Sequence, residues 1–498
     1  MSSFVPGKRG AADYALDERV EVDVVVIGSG AGGGAAAAAL AERGLTVAVV
    51  EAGSHWQPAA FNPSATWAWR HLYDGRGTRA TKGNMVMVLP GGRGVGGSTL
   101  INSAICFRTP DAVLARWRDD HGCSEFEAAW MNQCFDRIWQ RLGVTVNPVE
   151  VQRDNNLVFK RGADALGLRG DWLARAAPAC VGCGSCQQGC NIGAKQSSDR
   201  TFLADALATG LVSAMGDCRV ERIEEGRTVV ASGVTLDPST DTARGRFEVH
   251  ARHAVLAAGA VGTPRLLLAN GLGQGPIGEN LHVHPTAATL ARFPHEIKPW
   301  TGVTQGYYVD QWEKGFLLQV FTAPPDQAWV SVPLPPSQAV QWMADLRRCA
   351  MAGAVVHDED SVGQVTEGGL WYWLGDRDRR VLLEAMRTKA RIYFAAGAEA
   401  VVSGIHGVGV IERPGDIDAA ITDDIPAHEI GLYASHPMGT CRMGADPSLA
   451  VVAPSGRLHG HERLWVADAS VFPTSLGVNP QVTVYAIGLT VGRNVAAA

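Results

Sequence analysis

The segment VDVVVIGSGAGGGAAAAALAERGLTVAVVEAG, residues 22–53, restricts the possible folds of this chain more than any other. It reads as strand, turn, helix and strand. Residues 22–27 are apolar but for Asp23, as expected of a strand buried on both faces. Gly28, Gly30 and Gly33 form G-x-G-x-x-G. The first glycine turns the chain, the second admits a pyrophosphate, and the third lets helix and sheet close up. The Ala- and Gly-rich helix that follows aims its N-terminal amides and positive dipole end at that phosphate. Glu51 ends the next strand, where an acid meets a ribose hydroxyl pair. The expectation is a Rossmann-like α/β domain that binds a dinucleotide. The fingerprint alone does not choose FAD over NAD.

At 498 residues the chain has material for two or three domains' worth of core. A formal charge of −6, with no basic tract, gives no electrostatic reason to expect nucleic acid. No apolar run reaches the roughly 18 residues that span a bilayer, so no transmembrane segment is expected. The first residues carry neither an apolar signal core nor a twin-arginine pattern. Six cysteines are scattered (Cys106, Cys123, Cys134, Cys218, Cys349 and Cys441), as for reduced thiols in a reducing compartment. A cytoplasmic location follows, with export alongside a partner subunit left open.

The other four cysteines crowd into CVGCGSCQQGC as Cys180, Cys183, Cys186 and Cys190. Disulfides fit poorly with a reducing compartment, and loops this short gain little from closure. Zinc sites usually pair two knuckles a dozen or more residues apart. The spacing C-x2-C-x2-C-x3-C is that of bacterial ferredoxins, which wrap such a loop around an iron–sulfur cluster of the 4Fe-4S or 3Fe-4S type. Against this, ferredoxin runs end in Cys-Pro where Cys190 precedes Asn191, and their fourth cysteine serves a second cluster. A cluster, zinc and packed inert thiols all stay open, with the spacing favouring the cluster.

Three further stretches carry a resemblance: GGRGVGGSTLINSAICFRTPDAVLARW (residues 91–117), HPMGTCRMG (residues 436–444) and VADASVFPTSLGVNPQVTVYAIG (residues 466–488). With the N-terminal fingerprint they resemble the glucose–methanol–choline (GMC) oxidoreductases. The detail is most similar to the long-chain alcohol oxidases and their bacterial relatives, with cholesterol oxidases next. The resemblance implies FAD as the dinucleotide. It also implies a Rossmann-like FAD-binding domain joined to an α+β substrate-binding domain built on an antiparallel sheet. On that plan residues 1–120, 171–290 and 426–498 form the FAD-binding parts, and residues 121–170 and 291–425 the substrate side. No histidine lies between His71 and His121, where some family members attach FAD, so the cofactor is expected to be non-covalent.

Gly92 and Gly97, among the glycines of residues 91–97, would let backbone run flush against a flat isoalloxazine ring, with Ser98 and Asn102 placed to bond flavin or phosphate. By resemblance, Val220 would meet the adenine through its backbone, Asp468 and Ala469 would border the pyrophosphate and ribityl chain, and Pro480 would also bind the cofactor. The same resemblance makes His436 and Asn479 the catalytic pair facing the flavin across the substrate. Alcohol oxidation moves a hydride from carbon and a proton from oxygen. A neutral imidazole suits that proton, and an amide can fix the substrate oxygen. His284, in LHVHP, is read as structural.

The middle of the chain is rich in aromatic residues, among them Trp300, Tyr307, Tyr308, Trp312, Phe316, Phe321, Trp329, Trp342, Trp371, Tyr372 and Trp373. Some of these would line a pocket for a hydrophobic alcohol. The FAD-dependent glucose dehydrogenases of bacteria, in the same family, resemble the cysteine loop and hold an iron–sulfur centre there. That implies electrons leaving through the loop to an external acceptor or redox partner. An oxidase that reduces O2 to hydrogen peroxide with structural cysteines is the first alternative. A flavin-dependent ring-ketone desaturase or a non-redox lyase on the same fold is the second.

Overall fold

In the computed structural model, which describes residues 4–328 and 333–498, the strand Asp17–Ile27 runs through the middle of an 8-stranded sheet. Val47–Val50, Val212–Met215 and Gly7–Arg9 follow in parallel on one side. Ala243–Leu256 lies parallel on the other, pairing Ile27 with Leu256. The short strand Leu464–Val466, from near the C-terminus, closes onto the end of Ala243–Leu256. Val229–Leu236 and Cys218–Glu225 extend the sheet as an antiparallel ribbon.

The helix Ala31–Ala41 is buried along its whole length. Its small residues are required because the C-terminal helix Gln481–Ala497 presses onto it: a Cβ at Gly488 would lie 2.3 Å from the Gly32 carbonyl oxygen. Close packing of this kind leaves no room for a methylene. The first turn of Ala31–Ala41 is held under the sheet's carboxyl ends, where a crevice for a dinucleotide is expected.

A second, 7-stranded antiparallel sheet runs in the order Val410–Ile411, Ala400–Val402, Thr289–Arg292, Cys349–Val356, Phe316–Val320, Tyr307–Gln311, Gly170–Trp172. Leu318 and Val320 pack against Val158 and Phe159 of helix Val149–Ala165 and Leu382 and Met386 of helix Asp376–Ala395. Alternation then turns Gln319 and Phe321 the other way, toward the first sheet's cavity. Both faces are covered, which is why FLLQV and CAMAGAVV read as buried runs. Among the described residues no helix is long and apolar enough to cross a membrane.

Candidate active site

A cavity of about 2140 Å³ opens between the two sheets. Small-molecule pockets run to roughly 300–1,000 Å³, so this one has room for a dinucleotide and a second molecule. Gly28, Gly30, Glu51, Gly92, Gly97, Ser98, Asn102, Val220, Asp468, Ala469 and Pro480 all line it. Gly33 does not: it faces Gly28, where a Cβ would come 2.0 Å from the Gly28 carbonyl oxygen. Gly28 adopts φ +106, and a Cβ there would meet the Ala257 carbonyl oxygen at 2.3 Å. Only bare backbone closes this turn.

Several polar groups expected to touch cofactor are already engaged with the protein. Glu51 accepts from the Ser29 hydroxyl at 2.8 Å and from the amides of Ser29 and Gly53 at 3.2 and 3.0 Å. It therefore ties the phosphate turn to the next strand besides facing the ribose position. Asp468 accepts from the Gly259 amide at 2.8 Å and the Thr263 hydroxyl at 2.6 Å, gathering a second helix N-terminus to the cavity. Burial pushes both carboxyls above their ordinary range despite these bonds. Ser98 Oγ accepts from the Gly92 amide at 2.9 Å. Asn102 donates to Gln481 Oε1 at 2.8 Å and accepts from the Ala104 amide at 3.0 Å. These two side chains shape the glycine-rich bend that borders the cavity. The arrangement fits FAD: a cradle without side chains, two helix N-termini and an acid at the ribose position.

At the far end of the cavity, Asn479 and His436 meet, with Asn479 Nδ2 3.3 Å from His436 Nε2. Asn479 sits just before the helix Gln481–Ala497. Its carbonyl accepts from Gln319 Nε2 at 2.7 Å. His436 is half-buried and lines the cavity. Burial pulls its pKa down to about 4, against an upward pull from Asp358, so the ring is neutral. Behind it, His284 Nδ1 is 3.1 Å from His436 Nδ1, and His284 Nε2 accepts from the Gly477 amide at 3.0 Å. His284 has φ +54. Its segment is clamped by the buried Asp358, which takes the Val283 amide at 2.9 Å and also receives Tyr372 and Ser475 hydroxyls. Those donors and the nearby His282 hold the Asp358 carboxyl well below the usual range although burial opposes it.

Gln319 and Asp358 escaped the sequence reading, and His284 was read there as structural without its contact to His436. Two histidines two apart in LHVHP were the available signal for His284. Nothing in GFLLQVFTA marks Gln319 except a polar residue inside a buried strand. Of the aromatic residues named, Phe321 alone lines the cavity among the described residues, while Trp329 lies outside them. Tyr307, Phe316 and Tyr372 face the core beneath the helices instead. Trp371 and Trp373 stack on each other at 5.8 Å. The wall next to Phe321 is formed by Val88, Leu334, Val340, Met343 and Tyr433.

All four loop cysteines line one small pocket, with Lys195 and Thr304. Arg175, fully buried, points Nη2 at Cys186 Sγ (3.2 Å) and Nη1 at Cys180 Sγ (3.6 Å). The Lys195 amide donates to Cys190 Sγ at 3.4 Å. Burial raises the cost of ionising Cys186, but Arg175 and Lys195 outweigh it and hold the thiol below its ordinary value. The sulfurs surround the pocket and do not close on a point: among the described residues no three His, Cys, Asp or Glu side chains are gathered to hold a metal ion. The expectation that these cysteines are metal ligands therefore gains a shared pocket and no ion site. Lys195 Nζ also bonds the carbonyls of Leu100, Asn102 and Cys186 at 2.6, 2.9 and 2.8 Å, joining the loop to the cofactor bend.

Comparison with known proteins agrees with this geometry. A GMC oxidoreductase N-terminal family model matches residues 69–286, its C-terminal counterpart residues 369–488, and an FAD binding domain model residues 23–80. An uncharacterized GMC-type oxidoreductase of Mycobacterium tuberculosis is 35% identical over 462 residues, covering 91% of this chain and 72% of the relative. The long-chain-alcohol oxidase FAO3 of Arabidopsis thaliana is 30% identical over 517 residues, covering 96% and 68%. Among solved structures, pyridoxine 4-oxidase from Mesorbium loti superposes with a TM-score of 0.71 at 22% identity, over 95% of this chain and 98% of that one. Formate oxidase of Aspergillus oryzae gives 0.70 at 16%, over 96% and 98%. A dinucleotide cradle, an enclosed His–Asn corner and matches at both ends of the chain lead to one conclusion: this protein belongs to the GMC oxidoreductase family and is an FAD-dependent oxidoreductase.

Proposed function

We propose that the protein oxidises the CH–OH group of a hydrophobic alcohol. The observation that carries this reading is the His436–Asn479 pair, set where the cofactor cavity gives onto the apolar wall of Phe321, Leu334, Val340 and Met343. Bound FAD supplies a two-electron acceptor for the carbinol hydrogen. Asn479, fixed by Gln319, orients the substrate oxygen, and His436 takes the hydroxyl proton. The apolar wall selects an alcohol with a sizeable hydrocarbon part. The long-chain-alcohol oxidase relatives support the same substrate class. Anaerobic mixing with a panel of aliphatic, aryl and sterol-like alcohols tests it. Flavin bleaching by at least one class is expected; no bleaching by any alcohol, with bleaching by a ring ketone, would replace the reading by a desaturase.

A second reading concerns where the electrons go, and the cysteine pocket favours it. A cluster bound by Cys180, Cys183, Cys186 and Cys190 would supply one-electron chemistry toward an external acceptor. Arg175 and the Lys195 amide already aim at three of those sulfurs, as donors do around thiolate-held clusters. The oxidase relatives favour O2 as acceptor instead. Iron analysis and electron paramagnetic resonance on anaerobically purified protein separate the two; absence of iron removes the cluster and leaves the oxidase.

A further inference from the structure

His284 lies behind the catalytic pair, does not line the cavity, and has a hydrogen-bond pattern that fixes where its proton sits. Its Nε2 accepts from the backbone amide of Gly477, a group that can only donate. The proton of a neutral His284 is therefore on Nδ1. That atom lies 3.1 Å from His436 Nδ1, which must then be the acceptor. A neutral His436 with an unprotonated Nδ1 carries its proton on Nε2, the nitrogen beside Asn479 and the cavity. The direction continues outward. Amide oxygen and nitrogen are interchangeable in shape, so Asn479 can turn its oxygen to that N–H. The Gln319 and Gln305 amides turn with it, so that Asn479 donates to Gln319 across 2.7 Å and Gln319 to Gln305 across 3.3 Å.

We propose that His284, held by the Gly477 amide, is a positioning residue that locks His436 in the Nε2–H tautomer, so that the catalytic pair first meets the substrate oxygen as a hydrogen-bond donor. This rests on the reading of His436 given above and adds a condition to it. Before His436 can take a proton at Nε2, the proton already there must leave to the cavity. His284 must pass its Nδ1 proton to His436 Nδ1 and take one from solvent on Nε2, so that one proton is released and one gained. The reversed pair has His436 Nδ1–H donating to His284 Nδ1 and His284 Nε2–H facing the Gly477 amide. Two N–H groups would then oppose each other, so the Gly477 turn has to release His284. That turn leads two residues later into Asn479, which couples proton acceptance to the position of the second catalytic side chain.

The lock is overdetermined by its surroundings. The strained backbone of His284 is pinned by Asp358, with the His284 amide 3.4 Å from Asp358 Oδ1. The charged and titratable groups facing the pair are Asp358, His282 and His357, with Glu359 and Arg377 behind His357. Burial keeps both rings neutral, against the pull of Asp358.

Nitrogen-15 NMR of histidine-labelled, FAD-loaded protein tests the lock without substrate, with His436→Gln and His284→Gln used for assignment. The expected result is a protonated-type Nε2 and bare Nδ1 on His436, and the reverse on His284, unchanged between about pH 6 and pH 9, above the fall in both pKa values. A proton on His436 Nδ1 overturns the proposal. A kinetic arm uses His284→Leu and His284→Gln. Glutamine can accept from Gly477 and donate to His436, so it keeps the His436 tautomer, but it cannot pass a proton as imidazole does, so flavin reduction slows. Leucine removes the donor that stabilises neutral His436, so the acid limb of the pH profile of flavin reduction moves up and the tautomer becomes mixed. An unchanged His436 tautomer and pH profile in His284→Leu also overturns the proposal. Failure of every alcohol to bleach the wild-type flavin would instead count against the substrate reading, because the tautomer measurement does not depend on turnover.

Discussion

The His436 corner and the cysteine pocket are each built on buried polar side chains, yet they treat charge in opposite ways. Around His436 the protein supplies neutral partners in a directed chain: an amide proton, two imidazoles and two carboxamides. Around Cys186 it supplies cations, with Arg175 and Lys195 both fully enclosed beside the thiols. The first environment discourages ionisation, and the second invites negative charge on sulfur. Asp358, the buried carboxylate behind the pair, is engaged by its own donors, which leaves the side chains that meet the substrate neutral. A loop lined by Arg and Lys is organised to hold thiolates, whether or not a cluster ties them together. The two are joined by Lys195, which grips the cofactor bend at Leu100 and Asn102.

The largest expected effect falls on the neutral corner. His436→Ala should lower alcohol-driven flavin reduction by ~10²–10⁴-fold with FAD still bound. Stopped-flow reduction measures it, and near-normal rates would remove His436 from the chemistry.

On the charged side, Arg175→Met should lower folding stability by about 3–5 kcal/mol, the range for removing one partner of a buried charged group. It leaves the Ser103 carbonyl and Asn147 Oδ1 without their donor as well. The same change should raise the Cys186 thiol and slow its alkylation at neutral pH. Loss of stability with no change in thiol reactivity would mean that Arg175 only packs, and the contrast between the two regions would fail.

The contrast was only partly legible in the sequence. The dinucleotide cradle could be read because its requirements are local: a turn that tolerates no Cβ at Gly28, a small-residue helix and Glu51 at fixed distances. The His436–Asn479 pair came through resemblance, not through spacing, since 43 residues separate them and only the fold brings them together. Gln319 and His284 were out of reach. Their roles depend on which face of a strand is turned to the cavity and on a single backbone amide at Gly477. The cysteines were legible as a cluster of thiols, but Arg175 was not, because it reaches the loop from a two-residue strand. Which side chains form the apolar wall was out of reach for the same reason: aromatic content does not say which aromatic side chains face inward.

A pH measurement sharpens the neutral side. His436 and His284 are both held below the ordinary histidine value by burial, so the unfolded chain binds more protons than the folded one between about pH 6.5 and pH 4. Stability from these rings is present above about pH 6.5 and is lost as pH falls through that window. Glu51 and Asp468, raised by burial, act in the opposite sense over part of it. The useful quantity is therefore the wild type minus His436→Gln difference, which cancels them. It should fall toward acid by at most about 1.4 kcal/mol per pH unit and be flat above about pH 7. A difference that is flat throughout would show that His436 is as easily protonated in the folded protein as in water.

The smallest effect in the absence of metal is expected at Cys183, and that is what makes it informative. Cys183 is exposed, and among the described residues its Sγ meets Ser185 Oγ at 3.2 Å. As a packed thiol it carries almost nothing, so Cys183→Ser should change stability by no more than about 0.5 kcal/mol. As one of four ligands it would be indispensable, and the same substitution should empty the protein of iron and lower its denaturation midpoint together. Parallel iron analysis and chemical denaturation of wild type and Cys183→Ser, both purified anaerobically, therefore read one mutation two ways. Iron bound by the wild type and absent from the variant would assign the cationic pocket to electron transfer. Iron absent from both, with superimposable denaturation curves, would leave Arg175 and Lys195 as anchors that brace the cofactor bend, and the two regions would differ in charge but not in having separate chemistry.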